Sequence, residues 1–198
     1  ILMLSDLIKI FSEDRVKEKK FYFEILIDKI NLFSAIKELK DNKKLLFDQL
    51  IDITAIDYPT KSSRFEVVYI FLSMVYNKRV ILKTFLEDEE EIESITSVFK
   101  SANWFERECF DLFGIKFNNH PDLRKILTDY NFEGYPLRKD FPLTGHTEVR
   151  YDDLEKKVVY EPVKLAQEYR NFDYLSPWEG ISNTLEGDDK ADKNDEES

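Results

Sequence analysis

The sequence predicts an α+β protein. It reads as a two-layer domain with helices on a mixed sheet over residues 1–118, then a long extended C-terminal arm over residues 119–180 and an acidic tail over residues 181–198. Three observations carry this. In the first half, stretches of period-two apolar alternation interleave with stretches of helical spacing. The strand-like stretches are joined by short links, which favours a mixed or antiparallel sheet with helices on one face. All five glycines and five of the six prolines lie from Gly114 onward, and at that density these residues break regular elements.

Taken in order, Ser5 is placed to cap a first helix in which Leu4, Ile8 and Phe11 fall at helical spacing. Phe21, Phe23, Ile25 and Ile27 alternate with Tyr22, Glu24 and Asp28, the pattern of a half-buried strand. Asn31 caps a second helix carrying Leu32, Ile36 and Leu39. Leu50 to Ile56 reads as a strand, followed by a polar loop from Asp57 to Ser63. Phe65 to Tyr76 is apolar on both alternating faces and so belongs inside a sheet. Asn77-Lys78 supplies a turn, because Asn tolerates the left-handed conformation, and Val80 to Leu86 pairs back. The acids Glu87 to Glu91 then precede Ile92, Ile95, Val98 and Phe99, which predicts a helix with acids at its positive end. The eighty or so residues after Gly114 are too long for an ordinary loop, and they suit an arm that covers another protein.

Composition excludes several functions. A net charge of −11 argues against nucleic acid or an anionic membrane surface as a partner. Gly187 to Ser198 alone carries six acids against two lysines. The longest apolar stretch, Val67 to Val75, is far short of a membrane span and reads as a buried strand, so a soluble chain is expected. The start, Ile1 to Asp6, has neither the basic region of a secretory signal nor the Arg-rich character of a transit peptide. The expectation is a protein that works on the side of the membrane where it is made, or one given in processed form. One cysteine, Cys109, and two histidines, His120 and His146, cannot form an intrachain disulfide or a four-thiolate cluster. Without a glycine before Gly114, no phosphate-binding loop opens a helix in the first half. No cofactor, metal or catalytic residue is therefore expected in this chain.

The most informative block runs from Trp104 to Gly114. Read as a helix ending at Gly114, a natural C′ residue, it sets Arg107 and Asp111 one turn apart. Phe105, Cys109, Leu112 and Phe113 share one face; Trp104, Arg107, Glu108 and Asp111 share another. Apolar groups on several sides imply a mostly buried helix, whose charges must then be paired.

Glu106-Arg107-Glu108, two residues, Asp111-Leu112-Phe113, six residues, His120, three residues, Arg124, one residue, then Ile126-Leu127 resembles the signature of the thirty-kilodalton subunit family of respiratory complex I, NADH:ubiquinone oxidoreductase. The likeness continues through Leu127-Thr128-Asp129-Tyr130, Arg138-Lys139-Asp140-Phe141-Pro142 and Tyr151-Asp152-Asp153 to Ser176-Pro177-Trp178-Glu179, and includes Arg64 to Tyr69. It spans the chain from about Leu45 to Glu179. The resemblance implies a non-catalytic core subunit of the peripheral, hydrophilic arm of that proton-pumping complex. It also implies docking on the 49 kDa quinone-binding subunit beside the iron–sulfur subunits, and support of electron transfer from NADH to quinone, with FMN and the iron–sulfur clusters held by other chains. The location implied is the matrix side of the mitochondrial inner membrane or the cytoplasmic face of a bacterial plasma membrane. Related subunits occur in membrane-bound nickel–iron hydrogenases, although the Pro177-Trp178-Glu179 ending is closer to the respiratory branch.

Sharper readings of the same residues compete with plainer ones. Cys109 and His120 form a nucleophile and base on paper, yet an unpaired cysteine on an apolar helix face is usually a core residue. Glu106, Glu108 and Asp111 resemble a carboxylate metal site, but Arg107 stands among them and an ion-pair network fits better. Arg107 is expected to offset Asp111, His120 to hydrogen-bond near the turn before Asp122, and Asp122 to cap a short helix. Asp140 is expected to pair with Arg138 or Lys139. Arg124, Lys125, Arg138 and Lys139 are basic islands among aromatics, as at an interface, with Phe141 and Trp178 as apolar anchors.

Overall fold

The computed structural model describes residues 2–165 and residue 167, and the chain divides after His146 into two compact units. The segment from residue 119 to 146 thus belongs with the α+β unit that precedes it. Trp178 and the acidic tail over 181–198 lie outside the described residues.

A five-stranded mixed sheet organises the first unit: β1 (Val16–Glu18), β2 (Phe23–Leu26), β3 (Gln49–Asp57), β4 (Phe65–Ser73) and β5 (Lys78–Leu86), in the order β1-β2-β5-β4-β3. β2 and β5 are parallel and the other neighbours antiparallel. β4 is hydrogen-bonded on both sides, as its two apolar faces predict. Val67, Tyr69 and Phe71 stand opposite Thr84, Leu82 and Val80 and face a core shared with helices α1 (Leu2–Phe11) and α2 (Leu32–Asp41). Leu7 and Phe11 enter it from α1; Leu32, Ala35, Ile36 and Leu39 form a single buried stripe on α2. Asn77 makes the turn before β5 with φ 49°.

Two end signals fall differently. Ser5 lies inside α1, because Met3 and Leu4 pack on the core and carry the helix back to Leu2. Asn31 sits at the N-cap of α2 without a side-chain bond; instead the Ser34 hydroxyl donates to the Asn31 carbonyl at 2.9 Å.

The helix expected over residues 92–99 does not form. Glu91–Glu93 is a short strand, β6, parallel to β7 (Lys116–Asn118), and a chain of turns follows it. The reason lies in where the backbone donors go. Ser94 N–H reaches the Asn118 carbonyl at 2.9 Å and Ile95 N–H reaches the Glu106 carboxylate at 2.8 Å. Ile92, Ile95 and Phe99 are still buried, so their spacing reported burial and not helicity.

Helix α3 (Ala102–Phe113) lies beside edge strand β3, where the Cys109 thiol donates to the Ile53 carbonyl at 3.2 Å. Covering the edge in this way blocks pairing with another chain. The helix stops at Gly114, in the left-handed region at φ 79°, whose N–H bonds the Phe110 carbonyl.

The second unit contains a regular element where an irregular arm is expected: an antiparallel hairpin of β8 (Thr147–Asp152) and β9 (Lys157–Pro162). Val149 and Tyr151 alternate with Glu148, Arg150 and Asp152 at a period of two, and Val158 and Tyr160 fall on the same face, with Val159 turned to the other opposite Arg150. The Asp152 carboxylate accepts the N–H groups of Leu154 and Glu155 and shapes the turn, with Lys156 at φ 53°.

Candidate functional site

Helix α3 and the chain that folds back over it bring most of the singled-out residues together. Arg107 is buried. Its Nε donates to the Arg124 carbonyl at 3.1 Å and its Nη2 to the Lys125 carbonyl at 3.0 Å. Asp111, also buried, accepts the N–H groups of Ile126, Leu127 and Thr128 on one oxygen, at 3.0, 2.7 and 2.8 Å, and the Thr128 hydroxyl on the other. Burial pushes the Asp111 carboxyl up, but the Thr128 hydroxyl and the three amides together hold it below the usual range. Arg107 therefore does not offset Asp111 directly, as the helix pattern led one to expect. Each side chain instead satisfies its charge on the backbone of residues 124–128.

Glu106 is fully buried, with Ile95 N–H on Oε1 and the Ser94 hydroxyl on Oε2 at 2.7 Å. His120 Nε2 lies 3.9 Å from Oε2. The ring bonds the Asn103 carbonyl through Nε2 and accepts Asp122 N–H on Nδ1, both at 3.0 Å, so it does organise the turn before Asp122. Asp122 caps no helix, since residues 121–128 are bends and irregular backbone; it pairs with the exposed Arg124 at 2.9 Å. Glu108, half-buried, lines a small cavity of about 60 Å³ with Asp52 and Cys109.

A second cluster fixes residues 138–140. The Arg138 guanidinium donates to the Phe113 carbonyl at 2.6 Å, pairs with Asp88 at 3.3 Å, and lies against the rings of Tyr135 and Phe65. Lys139 takes part through its amide, which donates to Asp57 Oδ2 at 2.7 Å, while its side chain is exposed. Asp140 pairs with neither neighbour but with Arg64, at 2.8 Å. Arg64 also holds Asp57 at 2.8 Å and Asp88 at 2.9 Å. Arg64 keeps the Asp57 carboxyl low, against burial and with help from the Lys139 amide.

Sequence reasoning misses Asp57, Asp88 and Ser94 as members of these clusters. Asp57 reads as the start of a polar loop, whereas it closes β3 with its side chain buried. The signal available is an acid at the strand end, opposite Phe65 and beside Arg64.

A family described as the respiratory-chain NADH dehydrogenase 30 Kd subunit matches residues 25–147. The chain belongs to this family. Among its relatives is the C subunit of the NADH-quinone oxidoreductase of Hyphomonas neptunium, 56% identical over 167 residues, which are 84% of this chain and 83% of that protein. The corresponding protein of Ruegeria pomeroyi is 58% identical over 162 residues, 82% of this chain and 81% of that one. That of Parvibaculum lavamentivorans is 51% identical over 184 residues, covering 89% and 92%. A chain from the structure of the membrane-bound sulfane sulfur reductase, an archaeal respiratory membrane complex, superposes with TM-score 0.62 at 21% identity, over 72% of this chain and 85% of that chain. This last likeness concerns the fold alone.

For this member of the 30 Kd subunit family, the nucleophile reading of Cys109 fails on geometry. The thiol is 1% exposed, its bond goes to Ile53, and burial pushes it well above its ordinary value. Glu106 and Asp111 are bonded to different partners and Glu108 lines a small cavity, and among the described residues no group of three or more His, Cys, Asp or Glu could hold a metal ion. No helix among the described residues is long and apolar enough to cross a membrane.

Proposed function

We propose that this chain is a non-catalytic core subunit of the peripheral, hydrophilic arm of a proton-pumping NADH:quinone oxidoreductase, docked on the 49 kDa quinone-binding subunit beside the iron–sulfur subunits. FMN and the iron–sulfur clusters then sit in other chains, and this one supports electron transfer from NADH to quinone by holding its neighbours in place. Family membership supplies the complex. The observation that carries docking is the apolar face of the hairpin. Val149 stands opposite Tyr160 and Tyr151 opposite Val158, so the four share one face, and each is more than half exposed. The other face carries the charged pair Arg150 and Glu161. A two-stranded ribbon is marginal alone, and a contiguous exposed apolar patch marks an interaction surface.

In this reading the arm expected over residues 119–180 covers the partner with its part beyond His146, residues 119–146 being packed with the α+β unit, and 181–198 is an acidic tail. The motif charges Arg107, Asp111, His120, Arg138 and Asp140 act within the chain, fixing where the arm departs, and Glu106 holds Ser94 and Ile95, while Glu108, Arg124 and Lys139 face outward or stand at the margin. Membrane association runs through the complex, on the matrix side of the mitochondrial inner membrane or the cytoplasmic face of a bacterial plasma membrane. The bacterial sources of the relatives favour the second.

The test is Tyr151→Asp combined with Tyr160→Asp, in a strain that depends on this chain. The variant is expected to accumulate but to lose co-purification of the quinone-binding subunit and NADH:quinone activity. Normal co-purification and activity would overturn the docking assignment.

A further inference from the structure

Glu106 carries a charge that holding the arm does not explain. Its carboxylate is fully buried and no arginine or lysine neutralises it; among the described residues the one basic side chain in ion-pairing reach is His120, at 3.9 Å. The hydrogen bonds of that ring are those of a neutral imidazole: Nδ1 accepts Asp122 N–H, so Nε2 carries the proton and gives it to the Asn103 carbonyl. The other titratable groups nearby add no positive charge. Glu93 stands on β6, the Cys109 thiol on the next turn of α3, and the buried Tyr69 hydroxyl on β4 within the field of the same carboxylate.

What Glu106 does have is a line of hydroxyls. Ser94 Oγ, buried, lies 2.7 Å from Glu106 Oε2 and 2.8 Å from Thr96 Oγ1, and it accepts Thr96 N–H at 3.2 Å. Thr96 is half-buried, so the line runs from the buried carboxylate toward solvent.

We propose that Glu106 is an internal proton-binding site, loaded from solvent through the hydroxyls of Thr96 and Ser94. In the ionised state Thr96 donates to Ser94 and Ser94 donates to Glu106. On loading, Ser94 passes its proton to Glu106 Oε2, Thr96 passes its own to Ser94, and a hydronium ion at the solvent end replaces the one lost from Thr96 and leaves as water. The chain then runs in the reverse sense, with the carboxylic acid donating to Ser94 and Ser94 to Thr96. Ile95 N–H stays on Oε1 throughout. Both end states leave every one of these groups bonded, so the fold accepts either charge. Burial raises the Glu106 carboxyl to about 7, with the Ser94 and Ile95 bonds opposing it and Glu93 adding to it. The site therefore exchanges its proton across neutral pH, and the subunit's charge follows its surroundings.

The experiment is a carboxyl-carbon NMR titration of the full-length chain with labelled glutamate. One resonance is expected to titrate near neutrality and to vanish in Glu106→Gln. Ser94→Ala removes the donor to the ionised form and should move the midpoint up. Thr96→Val leaves that donor but strips Ser94 of its acceptor in the loaded state, and should move the midpoint down. Infrared difference spectra of the assembled complex, taken below and above neutrality with and without Glu106→Gln, give a second readout should the isolated chain misbehave. No glutamate titrating near neutrality in either measurement, or a Thr96→Val midpoint that stays put or rises, overturns the proposal.

Discussion

Arg107 and Asp111, one turn apart on α3, hold five consecutive residues by opposite backbone groups: the arginine takes the carbonyls of residues 124 and 125, and the aspartate takes the amides of residues 126, 127 and 128. The peptide unit joining Lys125 and Ile126 is gripped from both sides, its carbonyl by the arginine and its N–H by the aspartate. Each buried charge is thereby satisfied without a direct pair, which avoids the weak return of a buried salt bridge.

Removing either charge should unfold the grip. Hydrogen bonds to charged groups are worth roughly 1.5–3 kcal/mol each, and orphaned buried partners cost more. Arg107→Met is expected to lower stability by about 2–4 kcal/mol on that scale. Lys19→Met, at an exposed position, should change it by less than about 0.5 kcal/mol. Denaturant midpoints of the two full-length variants decide the matter; equal midpoints would show that residues 124–128 are not held by Arg107.

The acids of this fold pull its pH dependence in two directions. Asp57 and Asp111 have lowered values, so their contribution is complete above the ordinary carboxylate range and is lost as pH falls through their folded values. Glu106 is raised to about 7, so the folded state binds its proton more tightly than the unfolded one does. Its contribution is complete below the ordinary glutamate value and is lost as pH rises from there to about 7. The loss amounts to roughly 3 kcal/mol, at about 1.4 kcal/mol per pH unit. Glu106→Gln mimics the protonated form, and its stability relative to wild type should rise between mildly acidic and neutral pH. Chemical denaturation across that range measures it, and parallel curves for the two proteins would refute it.

Much of this architecture is legible in the sequence because single-element physics decides it. The alternation of Phe23 and Ile25, the two apolar faces of β4, the turn at Asn77 and the stop at Gly114 depend only on period and backbone freedom. The 92–99 segment is not legible, because its fate turns on Glu106, a carboxylate from another element that takes the Ile95 amide. The same holds for the site. That the charges of α3 must be satisfied follows from the helix pattern alone. That Arg107 and Asp111 would choose backbone carbonyls and amides, and that Asp140 would cross to Arg64 in place of its neighbours, follows only from tertiary placement.

Gly114 joins the two clusters, and a side chain there should uncouple them. It has φ 79°, and a Cβ at this position would lie 2.7 Å from Arg138 Nη2 and from the Tyr135 ring. The left-handed conformation alone costs a non-glycine residue about 1 kcal/mol or more, and the Tyr135 ring cannot yield without releasing Arg138. Gly114→Ala is therefore expected to destabilise by about 2 kcal/mol or more, a value above the usual penalty for a surface glycine. A thermal midpoint equal to that of wild type would show that the 135–138 turn is less tightly seated than its contacts imply.

Arg138 and Lys139 read alike in the sequence as one basic island facing a partner, and the structure separates them. The Arg138 guanidinium is turned inward onto the Phe113 carbonyl, Asp88 and two aromatic rings. Arg138→Glu would set a carboxylate against Asp88 and the Phe113 carbonyl, so it should destabilise the isolated chain by about 3 kcal/mol or more. Lys139 is tied by its amide to Asp57, and that bond survives any change of side chain except proline. Lys139→Glu should therefore shift the melting temperature by less than about 2 °C, as exposed charge changes do. If the exposed ammonium meets a carboxylate of a neighbouring subunit, the same substitution should sharply reduce incorporation into the large complex, because like charges opposed at an interface cost several kcal/mol. Native gels of membranes carrying each single variant separate the effects: Arg138→Glu is expected to lose both folded chain and complex, Lys139→Glu the complex alone. A Lys139→Glu strain with normal assembly would show that this cation faces solvent, leaving docking to the apolar face of the hairpin.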